Sequence, residues 1–357
     1  MAALSVGGAG RRLDGALREL PPGSFSLVMA TGIVALALRQ AGAYALSTAL
    51  VAVGTASYAA LAAMFVARAA RHSGQMAADA RSSHRAFGFF TFVAASNVLA
   101  EGYLLSGARD VGIALSVLGF AGYALLTYAV PAWGMLQPSK RTFGEAVDGS
   151  WLLWVVATQS VSTSAATLAS SGLLPGGLGT VAVLFWALGV VLYLILIVIV
   201  MMRLLLIDLA AEQLSPPYWI CMGATAITVL AGSHLLRLPA SLPIEQTSRA
   251  TVRGLSLLLW AFGTWWIPML VLFGIHRHVW HRRPLRYEHL LWSMVFPLGM
   301  YAASSREFGD VEGLDFMVRI AQVGVWVALA AWLAVAAAMV WAFVGARTEP
   351  PGAPVVP

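Results

Sequence analysis

The sequence has 357 residues, of which 59% are hydrophobic and 11% are charged, and its formal net charge is +6. A soluble domain carries roughly 25% charged residues, so this composition excludes an ordinary soluble globular protein. Apolar runs recur from about residue 25 to about residue 344, which excludes a single membrane anchor as well. Because a helix needs about 20 mostly apolar residues to cross a bilayer, the chain has room for about ten such helices. The sequence predicts an all-α integral membrane protein.

The predicted spans follow one another along the chain with short connections. They cover residues 23–41, 45–67, 86–106, 110–132, 149–170, 178–205, 216–236, 252–275, 288–305 and 316–345. They form a predicted ten-helix transmembrane domain over residues 21–345, between an N-terminal segment of residues 1–20 and a Pro-rich tail of residues 346–357. The charged run Arg306–Asp310 is predicted to be a solvated external loop.

The basic residues are distributed unequally between the two sides of the membrane. If the termini and alternate connections share one side, that side holds 15 of the 22 Lys and Arg residues. The positive-inside rule then places both termini and the basic connections in the cytoplasm, with the protein in the plasma (inner) membrane. The positive charge is thus explained by membrane topology, and we predict no nucleic-acid partner.

A polar position recurs in every second span, once per helical hairpin. Aligned on these positions, the odd-numbered spans repeat every 62 to 72 residues. The aligned positions are Thr31, Ser96, Thr158, Thr225 and Pro297. The even-numbered spans are more uniformly apolar, which favours an inner ring of polar helices and an outer ring facing lipid. The alternative is that these small residues are packing contacts, as is usual between helices in lipid.

The residues just before the aligned positions suggest a constriction. They are Ala30, Ala95, Ala157, Ala224 and Phe296. Four methyl groups and one benzyl group at equivalent heights would leave a narrow tunnel with one ring filling it. Such an apolar constriction gates by excluding water, and Pro297 would kink the helix beside it. The alternative is an ordinary Phe-Pro kink facing lipid.

Three segments resemble the tellurite-resistance/dicarboxylate transporter (TDT) family, which is related to the plant slow anion channels. They are FSLVMATGIV at Phe25–Val34, PPYWICMGAT at Pro216–Thr225 and WSMVFPLG at Trp292–Gly299. The resemblance implies five hairpins in a quasi-fivefold arrangement around a central pore, assembled as a homotrimer. It also implies that Phe296 occludes the pore and that the substrates are small inorganic or carboxylate anions.

The predicted inner spans carry no acidic or basic residue near their middle; Glu101, His234 and Arg237 lie toward the predicted external ends. Intramembrane ionisable residues mark proton relays, so their scarcity favours a passive pore or permease over a proton-coupled carrier. That anions pass through it is what the resemblance implies. Hydroxyls of Thr31, Ser96, Thr158 and Thr225 are predicted to line the pore together with the four alanines. No cofactor or metal is predicted.

Two alternatives remain open at this point. One is a proton-coupled secondary transporter that exports or exchanges a dicarboxylate, sulfite or a related oxyanion. The other is a membrane enzyme that uses the histidines between His276 and His289, although a basic loop that meets lipid headgroups explains the same residues.

Overall fold

The computed structural model describes residues 14–136, 147–172, 177–239, 243–284 and 287–348. In this part of the chain the regular structure is helical throughout. The helices are α1 (Ser26–Gln40), α2 (Tyr44–Arg71), α3 (Ser73–Ala80), α4 (Phe90–Leu105), α5 (Arg109–Leu136), α6 (Leu153–Ser170), α7 (Leu178–Leu206), α8 (Ile220–Arg237), α9 (Pro243–Ile275), α10 (Trp292–Glu312) and α11 (Asp315–Thr348). Residues 1–13 and 349–357 of the predicted termini, and the basic Lys140 and Arg141, lie outside the described residues.

Five of these helices form a closed circuit. Helix α1 packs against α4, α4 against α6, α6 against α8, α8 against α10, and α10 again against α1. We call these five the inner helices. Each is followed in the chain by a long partner that packs along it: α2, α5, α7, α9 and α11, the outer helices.

Burial separates the two sets of helices. In the apolar windows of α1, α4, α6 and α8, between 72% and 89% of residues are buried inside the protein. In the outer helices the corresponding fraction is between 11% and 44%. Apolar side chains such as Leu125, Leu184 and Trp341 project from the outer helices, which is the surface that lipid requires.

Each inner helix is preceded by a short turn of 3-10 helix, and these five turns contact one another. The turns are Pro22–Phe25, Ala86–Phe89, Gly149–Leu152, Pro216–Trp219 and His289–Leu291. Neighbouring turns are in contact all the way round, so they form a second closed circuit at one end of the bundle, which we call the collar. Two of the turns start with proline, which is tolerated there because the first helical N–H groups have no intrahelical partner.

A glycine on each outer helix receives a side chain from an inner helix. A methyl group at Gly119 would lie 2.7 Å from the side-chain oxygen of Asn97, and one at Gly189 would lie 2.3 Å from the amide nitrogen of Gln159. The equivalent glycines on the remaining outer helices are Gly54, Gly263 and Gly324. Small residues let membrane helices approach closely, so these glycines set the distance between each outer helix and the inner circuit.

The predicted helical class is confirmed, and nine helices of the described chain are long and apolar enough to cross a membrane. Helix α10 does not meet that criterion; it is interrupted by polar residues and proline, and its last turns are charged. The prediction of an external loop over Arg306–Asp310 was wrong, since this run continues α10. Arg306 and Asp310 pair at 2.7 Å one helical turn apart, and Phe308 is buried. These charged residues therefore lie on the last turns of the helix and not in a loop. The predicted quasi-fivefold pore stays a prediction.

A buried ion pair lies at the collar end, where the sequence predicted no helix. Helix α3 carries Asp79, whose carboxylate meets the Arg68 guanidinium at 2.6 Å and that of Arg85 at 3.0 Å. The Arg68 side chain has no exposed surface. Because a charge buried without a partner is costly, Asp79 anchors α3 against the end of α2.

Candidate functional site

A small cavity lies inside the circuit of inner helices, toward the end away from the collar. Its volume is about 10 Å³, roughly the space of one water molecule, and it is lined from four inner helices, by Asn97, Val98 and Glu101 of α4, Ser160 and Thr163 of α6, Ile227 and Leu230 of α8, and Met300 of α10. The amide of Asn97 donates to the hydroxyl of Ser160 at 3.0 Å, which joins α4 to α6 at the cavity wall. We call this space the inner cavity.

Phe296 lies next to the inner cavity, on its collar side. It precedes Met300 by four residues, so the two side chains share one face of α10. Tyr301 and Ser305, on another face, bond instead to Thr264 and Trp260 of the outer helix α9. The Phe296 ring is fully buried. From this spacing we expect the ring to face the interior of the circuit.

The residues at the height of Phe296 are small on two of the facing helices. Counting four residues back from the cavity-lining Val98, Ser160 and Ile227 gives Ala94, Val156 and Gly223, which are all buried. A methyl group added to Gly223 would come within 2.8 Å of the ring of Pro297. Helix α8 thus lies directly against the Phe-Pro segment of α10.

The four predicted hydroxyls do not face the interior of the circuit. Each bonds to its own helix and also packs on an outer helix. Thr31 accepts from the Trp332 indole at 2.9 Å, and Ser96 meets the Tyr58 hydroxyl at 2.7 Å. Thr158 and Thr225 do the same toward α5 and α9, through Tyr123 at 3.0 Å and close contact with Gly263. Sequence reasoning expected these hydroxyls to solvate an anion, but the outer helices satisfy them.

The four predicted alanines are buried within the circuit. Ala30, Ala95, Ala157 and Ala224 each precede a hydroxyl that points outward, and successive residues are rotated by about 100° around a helix. They therefore lie toward the seams between neighbouring inner helices. Three cavity-lining residues, Val98, Ser160 and Ile227, stand two positions after the hydroxyls. Counting back two positions from Met300 makes Leu298 the equivalent of Thr31. Sequence reasoning aligned Pro297 there, one residue out of register, because a proline resembles the polar positions in interrupting an apolar run.

An ionisable cluster lies at the end of the inner circuit away from the collar. The imidazole Nε2 of His234 is 3.4 Å from the Glu101 carboxylate, and its Nδ1 is 3.1 Å from the Thr167 hydroxyl. Beside them, Glu307 pairs with Arg237 at 2.8 Å and accepts from the Gln40 amide at 3.2 Å. The sequence indicated that these charges lie near helix ends, but it did not predict that Glu101 lines the cavity.

The histidines of the loop before α10 do not gather around one point. His276, His278 and His281 lie on or just after a π-helical turn that extends α9, with the rings of His276 and His281 4.3 Å apart. His289 lies in the collar, where burial lowers its pKa, and the nearby Arg85 lowers it further. Within the described residues, no group of three or more His, Cys, Asp or Glu side chains is arranged to hold a metal.

Comparison with known proteins now adds to this geometry. A family model described as voltage-dependent anion channel (SLAC1) matches residues 19–340. An uncharacterized membrane protein of Mycobacterium tuberculosis is 49% identical over 134 residues, which are 38% of this chain and 68% of that protein. Two uncharacterized transporters of Methanocaldococcus jannaschii are 25% and 28% identical, over 42% and 34% of this chain and 42% and 33% of their own lengths. The chain therefore belongs to the SLAC1 family of anion channels and transporters, which confirms the resemblance found in its sequence.

Proposed function

We propose that this protein is a passive channel or permease for small inorganic or carboxylate anions, which pass along the axis of the inner circuit. The single observation that carries the proposal is the closed circuit of α1, α4, α6, α8 and α10. Helical spacing from Met300 supports a position of Phe296 on the inner face of α10. The five hairpins would then surround a central pore in quasi-fivefold arrangement. The ring of Phe296 is the gate of this pathway, and Pro297 fixes its position.

The lining of the pathway supports an anion substrate. Next to Phe296 the lining is apolar, and in the inner cavity it is provided by hydroxyls and one amide, from Ser160, Thr163 and Asn97. The two hydroxyls donate their hydrogens to the carbonyls of Ala157 and Gln159, so an anion would meet one weak donor, the second hydrogen of the Asn97 amide. Weak binding is what conduction requires. The four alanines at the seams keep the inner helices close together, so the ring of Phe296 is enough to close the space.

The proposal extends to the setting of the protein. The excess of basic residues on one side puts both termini in the cytoplasm and the collar at the cytoplasmic end. The inner cavity then opens toward the outside of the plasma (inner) membrane. Family resemblance supports a homotrimer with one pathway in each subunit.

Anion flux into proteoliposomes tests the proposal, with chloride, nitrate, sulfite and malate measured separately. Phe296→Ala should raise the flux of at least one anion by about tenfold or more without a proton gradient, because it removes the apolar ring that excludes water. A control is Phe25→Ala. Phe25 is also buried, but its ring packs on Tyr58 and Phe65 of the outer helix α2, with centroids 5.4 Å apart in both contacts.

The two variants separate gating from loss of packing. Each loses a buried ring, which costs about 3–5 kcal/mol of stability. An increase in flux with Phe296→Ala and none with Phe25→Ala supports a gate. Equal flux from both variants would mean that loosened packing causes the leak. No flux of any anion through wild type or Phe296→Ala refutes the pathway, and uptake driven solely by a proton gradient indicates a coupled carrier.

A further inference from the structure

We propose that Glu101 and His234 together form a proton-binding site in the wall of the inner cavity, and that its protonation admits anions to the pathway. This inference rests on the proposed function, because it assigns a control to the same pathway. The ligand of the site is a proton from the solution that reaches the cavity. Anion and proton need not move together.

The hydrogen bonds of the site leave one position open for a proton. The Thr167 hydroxyl has a single hydrogen, which it donates to the Thr163 carbonyl at 3.0 Å. It must then accept from Nδ1 of His234, which lies 3.1 Å away. A neutral imidazole with its hydrogen on Nδ1 directs the Nε2 lone pair at the Glu101 carboxylate, 3.4 Å away. One added proton between Nε2 and the carboxylate replaces that repulsion with a hydrogen bond, and no other bond is formed or broken.

Burial makes this position sensitive to a single charge. The Glu101 side chain is 5% exposed and that of His234 is 15% exposed. Without the extra proton, the pair carries one negative charge at the cavity wall, which repels an entering anion. With the proton, the pair is neutral. A second proton would make it positive and attract the anion.

The neighbouring charges do not cancel the effect. Glu307 and Arg306, from α10, are paired with Arg237 and Asp310, so each pair contributes little net charge. From α1, Arg39 donates to the backbone carbonyl of Leu105 instead of reaching Glu101.

Among the side chains that the structure describes, the other helices packed on the site bring no free charge to it. Arg249 of α9 donates to the backbone carbonyls of Leu236 and Leu238, and Arg253 of the same helix pairs with Glu312 at 2.7 Å. Arg109 and Asp110 begin α5 and are exposed. The charge of the Glu101–His234 pair is therefore the one that a proton alters at the cavity.

Flux at equal pH on both sides of the vesicle membrane tests the site without a proton gradient. Using Phe296→Ala as the open background, anion flux should rise by about tenfold between about pH 8 and about pH 5, the range in which histidine titrates. Adding Glu101→Gln should give high flux at both pH values, because an amide carries no charge. Adding His234→Gln should shift the pH dependence to lower pH, because it leaves the carboxylate alone.

Two matched changes serve as controls. Glu312→Gln removes a carboxylate that faces α9 and not the cavity, and His72→Gln removes a histidine paired with Asp14 at the collar end. Both should keep the rise of flux with acidity. Flux that is equal at both pH values in the open background, or a rise that persists in Glu101→Gln, would overturn the proposal.

A direct measurement of the proton keeps the proposal testable if no anion moves. Acidifying the purified wild-type protein should produce an infrared carboxylic-acid or imidazolium signal that is missing from Glu101→Gln and altered in His234→Gln. Identical difference spectra in all three proteins would refute proton binding at this site. Absence of flux with the spectral change present would refute the proposed function and leave the proton site standing.

Discussion

The contact between two collar turns leaves no room for a side chain at Gly149. A methyl group there would lie 2.4 Å from the Pro217 carbonyl oxygen, 2.6 Å from its carbon and 2.8 Å from the Tyr218 Cα. All three atoms belong to the backbone, so no side chain can rotate away. Gly149→Ala must therefore push the start of α6 away from the start of α8. Forcing one extra carbon into a packed core costs about 1–3 kcal/mol, and we expect the upper end of that range.

Thermal unfolding in detergent, followed by tryptophan fluorescence, measures this cost. The matched control is Gly134→Ala, the same chemical change on α5, where no atom lies within 4 Å of the added carbon. Replacing an exposed helical glycine by alanine stabilises a helix by about 0.5–1 kcal/mol, so this control should unfold at or above the wild-type temperature. If Gly149→Ala and Gly134→Ala unfold at the same temperature, the collar is not a tight backbone contact and the reasoning fails.

Two further changes concern charges at the collar end. Asp79→Asn leaves the Arg68 guanidinium buried without its carboxylate and should cost about 3–5 kcal/mol, seen as a large drop in unfolding temperature; a drop as small as that of an exposed substitution would contradict it. His289 has a lowered pKa in the folded protein, so the unfolded chain binds a proton more readily and stability is lost as pH falls below about 6.5. His289→Gln should weaken this acid sensitivity in unfolding measured from pH 7 downward, and an unchanged slope would show that another group causes it.

The division into inner and outer helices could be predicted from the sequence, because it follows from the composition of the spans. Every second span carries polar residues that lipid would reject, so an inner and an outer set of helices could be expected from the repeat. The direction in which each polar side chain points could not be predicted from the sequence. Thr31 and Ser96 point outward because Trp332 and Tyr58 offer them partners on α11 and α2, and those partners lie far away in the sequence.

The ionisable cluster was missed for a related reason. Glu101 stands near a predicted helix end, which is typical of a solvent-exposed residue. Its burial depends on α8, which brings His234 beside it, and on Thr167 of α6, which orients the imidazole. No pattern within α4 alone could indicate this. The register of α10 escaped too, because the position equivalent to Thr31 is occupied by Leu298, which has no polar atom to mark it.

The closed circuit also constrains how the protein is assembled during synthesis. The hydrogen bond from Trp332 to Thr31 joins residues 301 positions apart. Domains generally form from the N-terminus as the chain emerges, so α1 is made long before α10 and α11 can cover it. Until then, its threonine side chain and one whole edge of the helix face lipid or other parts of the chain. Insertion of the last hairpin, α10 and α11, therefore closes the circuit. The wall of the pathway becomes continuous at that step.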